Sequence, residues 1–132
     1  MFFKIDPDNG VAIYDQIVRQ IKFAVADKAV LPGELVPSVR ELARQLAVNP
    51  NTVARAYRQL QDDKILSSVR GTGLQVTAGA HSKCTNARQQ IVRNRLKEVL
   101  NEAAGSGLTQ SEVRELIETA ISAIQWEASH ED

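Results

Sequence analysis

A proline at position 50, directly after Asn49, divides residues 37–73 into two short helices and so constrains everything around it. Proline pushes the residue before it out of the α region, so one continuous helix through Asn49 is disfavoured. At the first helical position the missing N–H of proline costs nothing, and Asn49 is a good cap. Upstream, Ser38-Val39-Arg40-Glu41 has the form of a capping box, in which Ser38 accepts from the Glu41 backbone and Glu41 reaches back to Ser38. Leu42, Ala43 and Leu46 then make an apolar face at helical spacing, and Ala47-Val48-Asn49 is the break.

The second helix is predicted over residues 50–63. Val53, Ala56, Tyr57 and Leu60 fall on one side, and Asn51, Arg55, Arg58 and Gln59 on the other. Arginine and asparagine pair best with guanine and adenine edges in a DNA major groove. Thr52 lies near the exposed start of the helix, where a helix-turn-helix meets bases and phosphates. Taken alone, such a face is better explained by solvent. The combination with a short preceding helix, a three-residue turn and a following hairpin points instead to nucleic acid. The hairpin is predicted from strands at 65–69 and 74–77 around Arg70-Gly71-Thr72-Gly73, whose glycines permit a tight turn. Arg70 at its tip suits a phosphate or a minor groove.

The segment PSVRELARQLAVNPNTVARAYRQLQDDKILSSVRGTGLQV resembles the winged helix-turn-helix domain of the GntR family of bacterial transcription regulators. NPNTVARAYRQL and the short segment after the wing resemble its YtrA subfamily. The resemblance covers about residues 13–77 and implies a sequence-specific regulator, a repressor, that acts as a homodimer on double-stranded operator DNA. It marks Arg40 as a DNA contact. Much of the family has arginine at the places of Pro50 and Ala54, so Asn51 and Arg55 become the expected base readers here. Ser38, Asn49 and Thr52 suit phosphates, and Arg70 with Gly71 forms the wing tip. Ala47 stands where glycine is common, and Leu31-Pro32-Gly33-Glu34 resembles a turn of the family.

Composition is consistent with that reading once it is resolved along the chain. The 132 residues carry 16 basic and 16 acidic side chains, a net charge of zero that would argue weakly against a nucleic-acid protein. Residues 36–73, however, hold Arg40, Arg44, Arg55, Arg58, Lys64 and Arg70 against only Glu41, Asp62 and Asp63, whereas residues 80–132 hold more acids than bases. Affinity for DNA comes from local phosphate neutralisation. No apolar run approaches the length of a membrane span, and Met1-Phe2-Phe3-Lys4 does not read as a secretory signal. One cysteine rules out an internal disulfide and fits a reducing cytoplasm.

The expected architecture is mainly α with a small β-hairpin: a winged helix-turn-helix domain over residues 1–79 and a two-helix dimerisation hairpin over 80–132. Residues 2–5 read as a short strand or arm. A helix over 11–29, with Tyr14, Ile17, Val18, Ile21 and Val25 on one face, buttresses the reader. Residues 78–82 read as a hinge. Ile91 or Val92, with Leu96, Val99 and Ala103, mark one tail helix, ended by Gly105-Ser106-Gly107. Thr109 to Glu112 is a second capping box, with Leu108 and Val113 placed as a staple. Val113, Leu116, Ile117, Ala120, Ile121 and Ile124 form an unbroken stripe that two helices cannot cover by themselves. The stripe must meet the winged domain or the same hairpin of a second subunit. Trp126, off the stripe, reads equally as an interface anchor or a frayed end.

No catalytic group has a structural context. His81 and Cys84 are three apart, too few for a metal site, and Gly71-Thr72-Gly73 does not open a helix as a phosphate loop would. No cofactor, metal or membrane is implied. An effector of unspecified identity would bind between subunits or between tail and reader, since two helices enclose no deep pocket. The alternative is a winged helix that binds protein without DNA sequence specificity.

Overall fold

A computed structural model describes residues 4–126. Five helices and one hairpin follow in order: α1 (Ile13–Ala26), α2 (Val39–Leu46), α3 (Pro50–Asp62), β1 (Leu66–Val69), β2 (Gly73–Val76), α4 (Ala80–Gly105) and α5 (Gln110–Ala123). The expected mainly helical fold with one small hairpin is the fold observed. The chain forms two compact units, Met1–Ile91 and Val92–Asp132.

In the first unit the apolar stripes meet as their periodicity requires. Ile17, Val18, Ile21 and Val25 of α1 pack with Leu42 and Ala43 of α2 and Val53, Ala56, Tyr57 and Leu60 of α3. Full burial of one such aliphatic side chain contributes about 1.5–3 kcal/mol. Both predicted caps form. Ser38 Oγ accepts from the Glu41 amide at 3.1 Å while Glu41 Oε1 accepts from the Ser38 amide at 3.1 Å. Asn49 Oδ1 accepts from the Asn51 amide at 2.8 Å, with Pro50 in the first turn of α3.

Three helices end at a left-handed residue that is not glycine. Lys28, Ala47 and Lys64 take the left-handed conformation, at φ 61°, 56° and 63°. Each lets the next amide reach back to the carbonyl five residues earlier: Ala29 to Ala24, Val48 to Ala43 and Ile65 to Leu60. The Ile65–Leu60 bond, at 2.8 Å, turns the chain from the end of α3 straight into the hairpin.

The wing pairs Leu66 with Val76 and Val69 with Gly73 in an antiparallel register. Thr72 N–H bonds Val69 O at 2.9 Å, and Gly71 sits third in that turn at φ 75°, the value a type II turn needs. Residues 33–36, of which Gly33 and Glu34 belong to the turn read from sequence over 31–34, run along the free edge of β2. Leu35 bridges Gln75, and Val36 N–H donates to Leu74 O at 3.0 Å. The wing is thereby tied to the segment that leads into α2.

Three further features differ from the sequence expectation. Residues 78–82 are not a hinge: Ala80 opens α4, and Ala80 and Cys84 are fully buried in the core of the first unit. Small apolar side chains one helical turn apart can be swallowed by a core, which their polar neighbours conceal in the sequence. The first unit accordingly runs to Ile91 rather than to residue 79. At the other end, Lys4 and Ile5 form no strand, and residues 2 and 3 lie outside the described residues. Instead the side-chain amide of Gln20 exchanges two hydrogen bonds with the Lys4 backbone, and buried Gln16 bonds Asp6, Asn9 and Val11.

The second unit holds the rest of α4, the turn at Ser106 and Gly107, and α5. Thr109 and Glu112 form the expected capping box, with bonds of 2.9 and 3.1 Å. No residue of α5 is buried.

Candidate nucleic-acid interface

Because α3 commits Val53, Ala56, Tyr57 and Leu60 to the core, its opposite side must face solvent. Asn51, Arg55 and Arg58 are exposed there, and Thr52 near the start of the helix is half-buried. Asn49 spends its side-chain carbonyl on the cap, which leaves its amide N–H groups to donate outward. Ser38 likewise caps α2, its Oγ accepting from the Glu41 amide. Arg40 is exposed in the first turn of α2, and Arg70 and Gly71 are exposed at the wing tip.

The fold brings four of these positions together. Asn49, Asn51, Thr52 and Arg55 line one hollow of about 330 Å³ with Ile13 and Tyr14 of α1. Ser38 lines a different hollow, of about 670 Å³, between the wing and α2, with Glu41, Gln45, Tyr57, Thr72, Gly73 and Leu74 among its walls. Arg40, Arg58 and Arg70 line neither.

The charge of the four arginines is uncompensated. The ion pairs Arg19–Asp15 at 3.0 Å and Lys22–Asp63 at 2.9 Å involve other residues, and none of Arg40, Arg55, Arg58 and Arg70 forms an ion pair among the described residues. Four cations free of protein carboxylates attract a polyanion without first breaking internal pairs. Glu41, the acid nearest the start of α2, is occupied by its cap. Its hydrogen bonds to the Ser38 backbone and hydroxyl, and the Arg44 charge, hold its carboxyl below the usual range.

Sequence periodicity places Tyr14 in the apolar stripe of α1. In the structure it is only half-buried, and the guanidinium carbon of Arg55 sits 3.7 Å from the centroid of its ring. The two residues lie 41 positions apart, so no local pattern announces the contact. The one available signal is the place of Tyr14 in the first turn of an amphipathic helix, where a phenol retains a solvent-facing edge.

His81 and Cys84 serve structure. His81 Nδ1–H donates to Val25 O at 3.2 Å, and Cys84 is buried against the core. No group of three or more metal-ligating side chains occurs among the described residues. No described helix is long and apolar enough to cross a membrane.

Residues 13–76 match the family of bacterial regulatory proteins called gntR. The transcriptional repressor YtrA of Bacillus subtilis (strain 168) is 32% identical over 114 residues, which span 86% of this chain and 88% of that protein. A transcriptional antiterminator from Listeria monocytogenes EGD-e superposes with a TM-score of 0.66 at 27% identity, covering 99% of this chain and 98% of that one. YtrA from Sulfolobus acidocaldarius, a GntR-family transcription factor, superposes with a TM-score of 0.55 at 30% identity, covering 92% and 98%. The matched residues contain the two caps, the recognition helix and the wing described above, and these relatives are regulators rather than enzymes. The chain belongs to the GntR family, as a DNA-binding transcription regulator of the YtrA type.

Proposed function

We propose that the protein is a homodimeric repressor that reads an inverted-repeat operator, with half-sites about one helical turn apart. The observation that carries the reading is the solvent face of α3, where Asn51, Arg55 and Arg58 stand exposed and unpaired by protein carboxylates. Asn51 and Arg55, at i and i+4, are assigned to base edges, with Arg40 and Arg58 on the adjoining groove wall. Ser38, Asn49 and Thr52 are assigned to phosphates, and Arg70 with Gly71 to the flanking backbone.

Dimerisation is assigned to the tail, through Val113, Leu116, Ile117, Ala120, Ile121, Ile124 and Trp126. Leu116, Ile121 and Ile124 are 58%, 45% and 54% exposed in the single chain, and Leu96 and Val99 of α4 are exposed too. Apolar patches of this kind mark interaction sites, and an uncovered helix the length of α5 is marginal in water. Trp126, 67% exposed, donates its indole N–H to Ile121 O at 3.1 Å, which holds it beside the stripe.

An effector is expected between subunits rather than inside one tail. A groove of about 510 Å³ lies among Leu100, Ala104, Leu108, Val113 and Ile117, and these side chains are exposed or half-exposed. A small-molecule site buries most of its ligand, so this groove needs a further wall.

The test is a titration of two variants on cognate and scrambled duplexes at several salt concentrations. Arg55→Ala should cost ~1–3 kcal/mol on the operator and relax the preference at one base pair. Arg70→Ala should weaken both duplexes alike and reduce the salt slope by about one. An Arg55→Ala protein with unchanged base preferences would refute the assignment of the reading face.

A further inference from the structure

We infer that Tyr14 is a specificity-determining positioning residue, which holds the Arg55 guanidinium in the orientation that reads a base. The inference rests on the assignment of Arg55 as a reader given above.

Arginine has a long, flexible side chain, and an exposed one samples many rotamers. Fixing it on DNA therefore costs entropy. Arg55 is not left to do so. Its guanidinium carbon lies over the Tyr14 ring, 3.7 Å from the centroid, well inside the range of a cation–π contact. No other partner competes, because Arg55 makes no hydrogen bond or ion pair among the described residues. The ring is itself held. Tyr14 lies in the first turn of α1, whose following turns place Ile17, Val18 and Ile21 in the core. The platform under Arg55 thus belongs to the rigid body of the domain rather than to a loop.

Stacking and reading do not compete for the same atoms. An aromatic ring engages the face of a guanidinium, whereas bidentate bonds to guanine leave from its edge. An arginine seated on Tyr14 keeps its in-plane N–H groups available. The hollow beside it is walled by Asn49, Asn51 and Thr52, the other groups assigned to DNA. The Tyr14 hydroxyl has no hydrogen-bond partner among the described residues, so the ring and not the hydroxyl is the functional part.

The experiment uses the full chain and a duplex selected from a randomised pool by the wild-type protein. Arg55→Ala first locates the base pair that Arg55 reads. Tyr14→Phe and Tyr14→Trp, which keep an aromatic face, should retain the wild-type preference at that pair. Tyr14→Leu, apolar and able to pack, should lose about two- to five-fold of that preference, the size of an exposed cation–π contact. Its affinity for random DNA should stay within about two-fold. In the Arg55→Ala background, Tyr14→Leu should cause no further loss of preference, since the two residues act as one unit.

A merely structural tyrosine would lower thermal stability and leave base preference alone, and that outcome overturns the inference. So does an equal loss in both backgrounds. If Tyr14→Phe weakens cognate and random DNA alike and lowers the salt slope, Tyr14 is a phosphate contact and the inference fails. If instead Arg55→Ala keeps every base preference, the reader assignment itself fails, and the two failures are told apart by that arm. Should Tyr14→Leu not fold, the ranking of Tyr14→Trp and Tyr14→Phe against Tyr14→Met at the same base pair decides the matter, with loss expected only for methionine.

Discussion

The Tyr57 hydroxyl donates to Pro37 O at 2.7 Å and so ties the buried side of the recognition helix to the segment that leads into α2. Burial, and then the nearby Glu41 charge, push the phenol well above its ordinary range, so it remains a proton donor at any working pH. Tyr57→Phe keeps the ring and removes only this bond. It should lower stability by about 0.5–1.5 kcal/mol, read from the urea midpoint at unchanged slope. No change would mean that Pro37 finds water instead.

Ala47 carries a left-handed backbone at φ 56° in the helix-turn-helix turn. A side chain there costs about 1–2 kcal/mol, partly offset by the larger entropy that glycine loses on folding. Ala47→Gly should therefore stabilise the domain by about 0.5–1 kcal/mol, visible as a higher melting temperature. A melting temperature at or below the wild type would show that the strain is relieved elsewhere.

Both capping-box carboxyls, Glu41 and Glu112, are held below their ordinary value of 4.5 by hydrogen bonds to the Ser38 and Thr109 backbone and hydroxyl. A carboxyl depressed in the folded state stabilises above its unfolded pKa, and that contribution disappears as pH falls through the folded one. Helix stability should thus be complete near neutrality and decline below 4.5. Circular dichroism of the Glu41→Gln/Glu112→Gln protein should show a smaller loss between about pH 6 and about pH 3 than the wild type. An equal loss in both proteins would place the acid sensitivity elsewhere.

Cys84 is fully buried, and burial pushes its thiol up to about 11, with Asp63 adding to the rise and Lys22 and Lys83 opposing it. The thiolate is the reactive form. At about pH 8, labelling of the folded protein by an aromatic disulfide should be on the order of 10² slower than in urea. Rapid stoichiometric labelling of the native chain would contradict this packing.

The proposed dimer predicts that Ile117→Asp/Ile121→Asp sediments as a monomer, because an interface that buries unpaired carboxylates is costly. The variant should keep the helical content of the winged domain and lose most operator affinity. A wild-type protein that sediments as a monomer at micromolar concentration would remove the basis for the two-fold operator.

What the sequence determined by itself is what short-range chemistry controls. Ser38 with Glu41, Asn49 with Pro50, and Thr109 with Glu112 set three helix starts, because each cap closes within a few residues. The spacing of Val53, Ala56, Tyr57 and Leu60 decided which side of the recognition helix is buried, and hence that Asn51, Arg55 and Arg58 face outward. Tertiary structure alone decided the rest. The edge formed by residues 33–36 depends on backbone pairing with β2 some 40 positions away, to which side-chain pattern is blind. Ala80 and Cys84 joined the core because the packed first unit covers them, not because their neighbours are apolar. Likewise, Arg55 found the Tyr14 ring only once α1 and α3 packed side by side. Periodicity names the face a residue shows; which distant residue it meets is settled by the packing of the elements that carry them.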